Sequence, residues 1–204
     1  MNLAMGAAHR QIARTKKRRA AHGNMKRPVK PASARKASAE SKPQPHAAIR
    51  IRRGAARDVP LILALIRGLA DYERLSREVT ATEAQLKKHG FGRQRYFQTL
   101  ICSRGRRAVG FALYFFTYST FLARPTLYIE DLFVLPEERG NGAGARMLRA
   151  LARIAVSRGC GRMEWAVLDW NAPAIRFYRR MGARLRKEWI LTRVAGDRLR
   201  RLAE

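Results

Sequence analysis

Acidic residues are scarce in this 204-residue chain: 15 Asp and Glu stand against 43 Lys and Arg, for a formal net charge of +28. Such an excess repels cationic partners at long range and points to a polyanionic partner or to an unusually basic proteome, between which charge alone does not choose. Cysteine is nearly absent. Cys102 and Cys160 form no CxxC pair and no Cys/His cluster at metal spacing, which argues against a disulfide scaffold or zinc site and for a reduced, cytoplasmic location. Each reads as a small apolar core residue. Long apolar runs are missing too: the longest, 61–66 and 109–116, fall far short of the ~20 residues of a spanning helix, so a soluble protein without membrane contact is expected. What is present is 47% apolar residues, enough for the core of one domain.

Residues 1–47 carry 12 Lys and Arg, one acid (Glu40), four prolines and no aromatic residue. Too little apolar surface is available there to offset chain entropy, so a disordered basic tail is expected. It could neutralise phosphates in a weak nucleic-acid contact, but it has no aromatics to stack on bases. It lacks the apolar stretch of a secretory signal, and Met25 offers a downstream start.

Residues 48–204 read as the folded domain. Ile49-Arg-Ile51 alternates as a strand does. Asp58 and Pro60 open a helix with Ile62, Leu65, Ile66 and Leu69 on one face, ending at Asp71-Tyr72-Glu73, where carboxylates oppose the helix dipole. Thr80-Ala-Thr-Glu83 has the capping-box pattern of a second helix, which Gly90-Phe-Gly92 stops near His89. Strands are expected over 96–102, 108–118 and 126–135, the first two joined by a turn at Ser103-Arg-Gly-Arg106. A central helix follows with Met147, Leu148, Leu151, Ile154 and Ala155 on one face, ended by Gly159-Cys-Gly161. A strand over 163–168, a helix over 174–181 and a last strand over 187–194 complete the domain. The alternation predicts an α/β (α+β) sheet covered by helices.

The chemistry concentrates around Tyr128-Ile-Glu-Asp-Leu-Phe-Val-Leu-Pro136 and the glycine-rich turn behind it. The turn opens straight into the central helix, whose start leaves about four backbone N–H groups without intrahelical partners and carries roughly half a positive charge, a cradle for phosphate. It is not a dinucleotide fingerprint, since the glycines fall at 140, 142 and 144, and no Gly-Lys-Ser/Thr follows to make a P-loop. Its value comes from company: a strand carrying carboxylates before it and the turn Trp170-Asn-Ala-Pro173 with Phe177-Tyr178 beyond.

Arg139-Gly-Asn-Gly142-Ala-Gly144 and Trp170-Asn171-Ala-Pro173 followed by Phe177-Tyr178-x-x-x-Gly182-Ala183 resemble the two coenzyme signatures of the GNAT superfamily of acetyl-coenzyme A-dependent N-acetyltransferases. Leu69-Ala-x-Tyr72-Glu73, Gly90-Phe-Gly92 and Tyr128-Ile-Glu-Asp131 are similar to its spermidine/spermine (diamine) branch, with its thialysine-acetylating relatives. The resemblance covers residues 49–189. It implies a mixed, mostly antiparallel sheet with helices on both faces, splayed at the strand carrying Glu130. Acetyl-CoA would be the co-substrate and no metal would be needed. Leu132, Phe133 and Val134 would pair with the pantetheine arm; Arg139, Gly140, Asn141, Gly142, Ala143, Gly144 and Ala145 would hold the pyrophosphate; Asn171, Ala172, Pro173 and Ala174 would contact the coenzyme. Tyr72, Glu73, Glu130, Glu164, Trp165 and Ala166 would line the amine site, and a homodimer is implied.

The resemblance also implies catalytic roles. A primary ammonium must lose a proton before it can attack a thioester, for which Glu130 is the candidate acceptor, and Tyr178 is the candidate acid for the departing thiolate. Backbone N–H groups near Leu132 could polarise the acetyl carbonyl. Without the tail, 31 basic residues still face 14 acidic ones, so a small amine or a lysine analogue suits the basic rim at least as well as spermine. Two other readings stay open: a protein-amine acetyltransferase docked through its tail, and a nucleic-acid-binding protein using the fold as scaffold.

Overall fold

The computed structural model describes residues 48–204; the basic tail expected over residues 1–47 lies outside the described residues. Five strands form one sheet in the order β1-β2-β3-β4-β5. They are β1 (Ile49–Arg53), β2 (Gln98–Arg104), β3 (Arg107–Ser119), β4 (Arg124–Val134) and β5 (Arg162–Trp165). The first four pair antiparallel, and β5 joins β4 in parallel. Two-residue alternation places Phe111 and Leu113 of β3 on one face and Ala112 and Tyr114 on the other, each met by a different helical layer.

On the first face lie α1 (Val59–Tyr72) and α2 (Glu83–Phe91). Val59, Ile62, Leu63 and Leu65 recur at helical spacing and pack with Leu86, Phe111 and Phe133. On the second face lie α3 (Ala143–Ser157) and α4 (Ala172–Arg180). Leu148, Leu151 and Ala155 pack there on Leu127 and Ile129, with Phe177 and Tyr178 half-buried beside them. Burial of each large side chain contributes about 1.5–3 kcal/mol. A short helix, α5 (Asp197–Leu202), follows. No helix among the described residues is long and apolar enough to cross a membrane.

Several expected details change. The last strand expected over 187–194 is absent; that stretch is irregular, with Trp189 72% and Ile190 84% exposed. Its apolar residues satisfy a strand pattern, but a strand needs an edge to pair with, and among the described residues it pairs with none. The α2 capping box is Thr82 with Gln85, not Thr80 with Glu83: Gln85 N donates to Thr82 Oγ1 (3.2 Å) and Thr82 N to Gln85 Oε1 (3.0 Å). Both windows fit the pattern; the later one forms, with Thr82 extended as the residue before the helix. Asp58 precedes α1 without capping it by its side chain; its carboxylate accepts from Arg52 at 2.6 and 2.7 Å and from Ala55 N at 2.8 Å. The Arg52 guanidinium accordingly holds its pKa below the usual carboxylate range.

The functional feature of the sheet is a bulge in β4. Leu113 pairs with Asp131 and Tyr114 with Ile129, leaving Glu130 as the extra residue. Side-chain parity flips there: Leu127 and Ile129 face α3, yet Leu132 and Val134 continue that face while Phe133 joins the α1 cluster. Parallel pairing with β5 stops at Ile129 and Trp165, just before the bulge. Beyond it the two strands part, which is the splay the resemblance implies.

Gly110, paired with Val134, keeps β3 close enough to hold this end of β4. A Cβ there would lie 2.4 Å from the Phe133 carbonyl oxygen. Gly110→Ala is therefore expected to destabilise the fold by about 1–3 kcal/mol, read as a lower urea midpoint; an unchanged midpoint would contradict the close approach.

Candidate active site

The gap between β4 and β5 opens into a cleft of about 910 Å³. One wall is β4 after the bulge, with Leu132, Phe133 and Val134; the other is the chain after β5, with Ala166, Val167 and Leu168. The end of α1 brings Tyr72 and Glu73, the start of α3 brings the glycine-rich turn, and α4 brings Asn171, Pro173, Ala174 and Tyr178.

At the α3 end, Gly140 and Gly142 take left-handed φ values of +79° and +80° with open space where a Cβ would project. Gly142 precedes the helix without any side-chain cap. The first helical bond runs from Arg146 N to the Gly142 carbonyl at 3.0 Å, so the N–H groups of Ala143, Gly144 and Ala145 precede it and are donors for an external anion. Glycine is the residue that adopts such φ values without strain. These features, together with an open strand edge long enough for an extended amide-bearing chain, fit the pyrophosphate and arm of coenzyme A. Arg139 and Gly140 line the same cleft, whereas Asn141 and Ala172 do not.

Carboxylates gather at the bulge. Asp131 shares a face with Phe133 and meets Glu73 arriving from α1, with Glu130 beside it. Burial first, then the negative charges of Glu130 and Glu73, push Asp131 up to about 7. Burial also raises Glu73. Glu130 itself is exposed at the rim. Across the gap stands Tyr178, its ring 5.0 Å from Trp165 and 5.2 Å from Phe177. Burial and, less, the charge of Glu73 push its phenol up to about 12, so it stays protonated throughout the physiological range.

Tyr72 bridges the two halves. Its hydroxyl donates to Asn171 Oδ1 at 3.3 Å, its ring lies 6.2 Å from Trp170, and the Arg139 guanidinium sits 4.1 Å above it. Asn171 Oδ1 also accepts from Ala174 N at 3.2 Å and so caps α4.

Most of the residues expected from the sequence thus meet in one cleft. Glu164 and Trp165 do not line it: Glu164 pairs with Arg162 at 3.0 Å on β5, and Trp165 packs behind Tyr178. Sequence reading passed over Asp131 in favour of its neighbour. The signal available was the acidic doublet on an apolar strand, since strict alternation would have put Asp131 on the face of Ile129, against α3. It also passed over the loop 75–81, which adds Glu78 to the wall.

The chain is 37% identical over 168 residues to a thialysine N-epsilon-acetyltransferase of Mus musculus, covering 77% of this chain and 98% of that protein. It is 50% identical over 90 residues to an L-ornithine N5-acetyltransferase of Arabidopsis thaliana, a match covering 44% of this chain and 40% of the other. Among solved structures, an integron cassette protein from the mobile metagenome of V. cholerae superposes with a TM-score of 0.66 at 26% identity, covering 76% of this chain and 98% of that one. An aminoglycoside acetyltransferase from a soil metagenomic sample shares the fold with a TM-score of 0.62 at 18% identity, over 72% and 95% of the two chains. Residues 64–183 match the Acetyltransferase (GNAT) family, and with a splayed sheet, an uncapped glycine-led helix and a phenol facing a carboxylate cluster, the chain belongs to that family of acyl-transferring enzymes.

Proposed function

We propose that this enzyme moves the acetyl group of acetyl-coenzyme A to a primary amine of a small molecule, and that its preferred class is a lysine- or ornithine-like amino acid acetylated at its terminal amine. The observation that carries the reading is the placement of Asp131 and Tyr178 on opposite sides of one gap, beside the phosphate-binding start of α3. Acetyl-coenzyme A supplies the acetyl group as a thioester. The protein's residues do the rest.

An alkylammonium with a pKa near 10 is ionised at neutral pH in all but about one molecule in a few thousand. Its proton has to be removed on arrival, and a base works best when its own pKa lies near the working pH. Asp131, raised to about 7, meets that condition, whereas an ordinary carboxylate falls about three units short. In this reading Glu130 and Glu73 attract the ammonium and tune Asp131, which takes the proton. Tyr178, protonated, offers its O–H to the departing sulfur. The α3 start and the open β4 edge hold the coenzyme, with Tyr72 and Asn171 positioning its reactive end beside the carboxylates.

The amino-acid preference rests on charge and on the activities for which two relatives are named. A polyamine brings several positive charges to a strongly basic protein, while a lysine analogue brings a carboxylate that the basic rim accepts. Two of the relatives are named for thialysine and L-ornithine. Docking on proteins or nucleic acid through residues 1–47 has no such support. A homodimer, implied by the resemblance, and a cytoplasmic location, read from the scarcity of cysteine, belong to the same proposal.

Release of coenzyme A thiol should be measured with thialysine, lysine, ornithine, diamines and spermidine. The amino acids are expected to give the highest kcat/KM, and a panel without turnover would refute the reading. Tyr178→Phe is expected to lower kcat by about a hundredfold; wild-type rates would remove its role as acid.

The pH profile separates the two candidate bases. Because Asp131 must be ionised to accept a proton, kcat/KM is expected to rise with pH through a limb near 7. Asp131→Asn should abolish that limb. Glu130→Gln removes a negative neighbour that raises Asp131, so the limb should move to lower pH and survive. Loss of the limb in Glu130→Gln, with retention in Asp131→Asn, would return the role to Glu130.

A further inference from the structure

The phosphate-binding turn is a poor candidate for self-support. It contains two left-handed glycines with open space around them, and no side chain caps the helix it leads into. Glycine loses more conformational freedom on ordering than any other residue. Yet the turn has to present its N–H groups in one arrangement for an anion to profit from them. Something outside it must hold its ends.

Three arginines fasten the chain around it to one corner of the sheet: Arg104 and Arg107 ahead of it and Arg146 behind it. Ahead of the turn, Pro136–Glu138 forms a single 3-10 turn in which Glu138 is only 5% exposed. The Glu138 carboxylate accepts from Arg104 Nε at 2.8 Å and lies 3.7 Å from Arg107 Nη1, while Arg107 Nη2 contacts Glu137 at 2.5 Å. Arg104 ends β2 and Arg107 begins β3, so the clamp comes from the two strand ends of one hairpin. Behind the turn, Arg146 in the first turns of α3 donates through Nη1 to the Ile49 carbonyl at 3.1 Å. Ile49 is the register partner of Arg104. The chain entering the glycine turn and the chain leaving it are therefore fastened to one pair of residues at the β1–β2 corner.

We propose that Arg104, Glu138 and Arg146 are positioning residues for coenzyme binding: they hold both ends of the glycine turn at the Ile49–Arg104 corner, so that its N–H groups meet the pyrophosphate preorganised. This rests on the acetyl-coenzyme A reading above and goes beyond it, because none of the three belongs to the glycine signature or to the catalytic gap. Glu138 lines the cleft, so its pairing has a second effect. A carboxylate in a phosphate site is tolerable only while a cation covers it. Removing Arg104 frees the turn and leaves Glu138 covered only by the more distant Arg107, at 3.7 Å, and both effects weaken binding. Removing Arg146 frees the far end alone.

The test uses the full chain and two thioesters, acetyl-coenzyme A and acetyl-pantetheine, which ends before the pyrophosphate. Arg104→Met is expected to raise KM for acetyl-coenzyme A and the calorimetric Kd for coenzyme A by about tenfold, with kcat and the KM for the amine within about twofold of wild type. Turnover of acetyl-pantetheine should be unchanged, because it makes no use of the turn. Arg146→Met should show the same pattern with a smaller rise, and it serves as the test if Arg104→Met does not fold. Equal losses on both thioesters would mean a general structural role and overturn the proposal, as would unchanged coenzyme A binding in both variants. Wild-type protein that binds coenzyme A but acetylates no amine would remove the acetyl-transfer reading while the binding comparison still decides the clamp; wild-type protein that binds no coenzyme A would overturn both.

Discussion

The bulge at Glu130 is the constraint on which the rest depends. β4 lies between two apolar layers and yet carries two adjacent carboxylates. Under strict alternation one of them, Asp131, would face Leu148 and Leu151 of α3, where an ionised group costs several kcal/mol. One extra residue resolves the conflict by flipping side-chain parity, so that the α3 face continues with Leu132 and Val134 while Asp131 turns toward α1. The same distortion ends the pairing with β5. A local solution to burial thus creates the gap, the open backbone edge and the acidic cluster together.

Electrostatics then divides the labour inside that gap. In a chain with 43 basic residues, three carboxylates converge where α1 meets β4, and burial and mutual repulsion raise Asp131 and, through burial, Glu73. Burial keeps the phenol of Tyr178 protonated on the opposite side. One wall therefore favours gaining a proton near neutrality, and the other holds one ready to share. Four arginines gather around the glycine turn: Arg139 over Tyr72, Arg104 and Arg107 on the acids before the turn, Arg146 on β1.

Much of this was legible in the chain. Helix periodicity located α1, α3 and α4 to within a few residues, and the glycine-rich turn between a strand and a helix marked the uncapped start of α3. Where reading failed, the reason was that a local pattern admits several outcomes. Thr80 and Thr82 both head a capping-box window, and α2 starts after the second. Residues 187–194 have the composition of a strand, but among the described residues they pair with neither edge of the sheet, β1 or β5. Asp58 had the position of a helix cap, but the nearby Arg52 guanidinium engages its carboxylate.

By itself the sequence determined the parts: an amphipathic α3 led by Gly142, a phenol on α4, carboxylates at the end of α1 and on β4, and a basic surface around them. These follow from backbone preference and side-chain period, which act over a few residues. Only the tertiary structure decided that Asp131 rather than Glu130 turns inward, that Glu164 stays outside the cleft, and that Glu138 is gripped by a hairpin 34 residues away in the chain. Those outcomes depend on which neighbours share a face, and parity at a bulge is settled by the layers packed on either side of the strand.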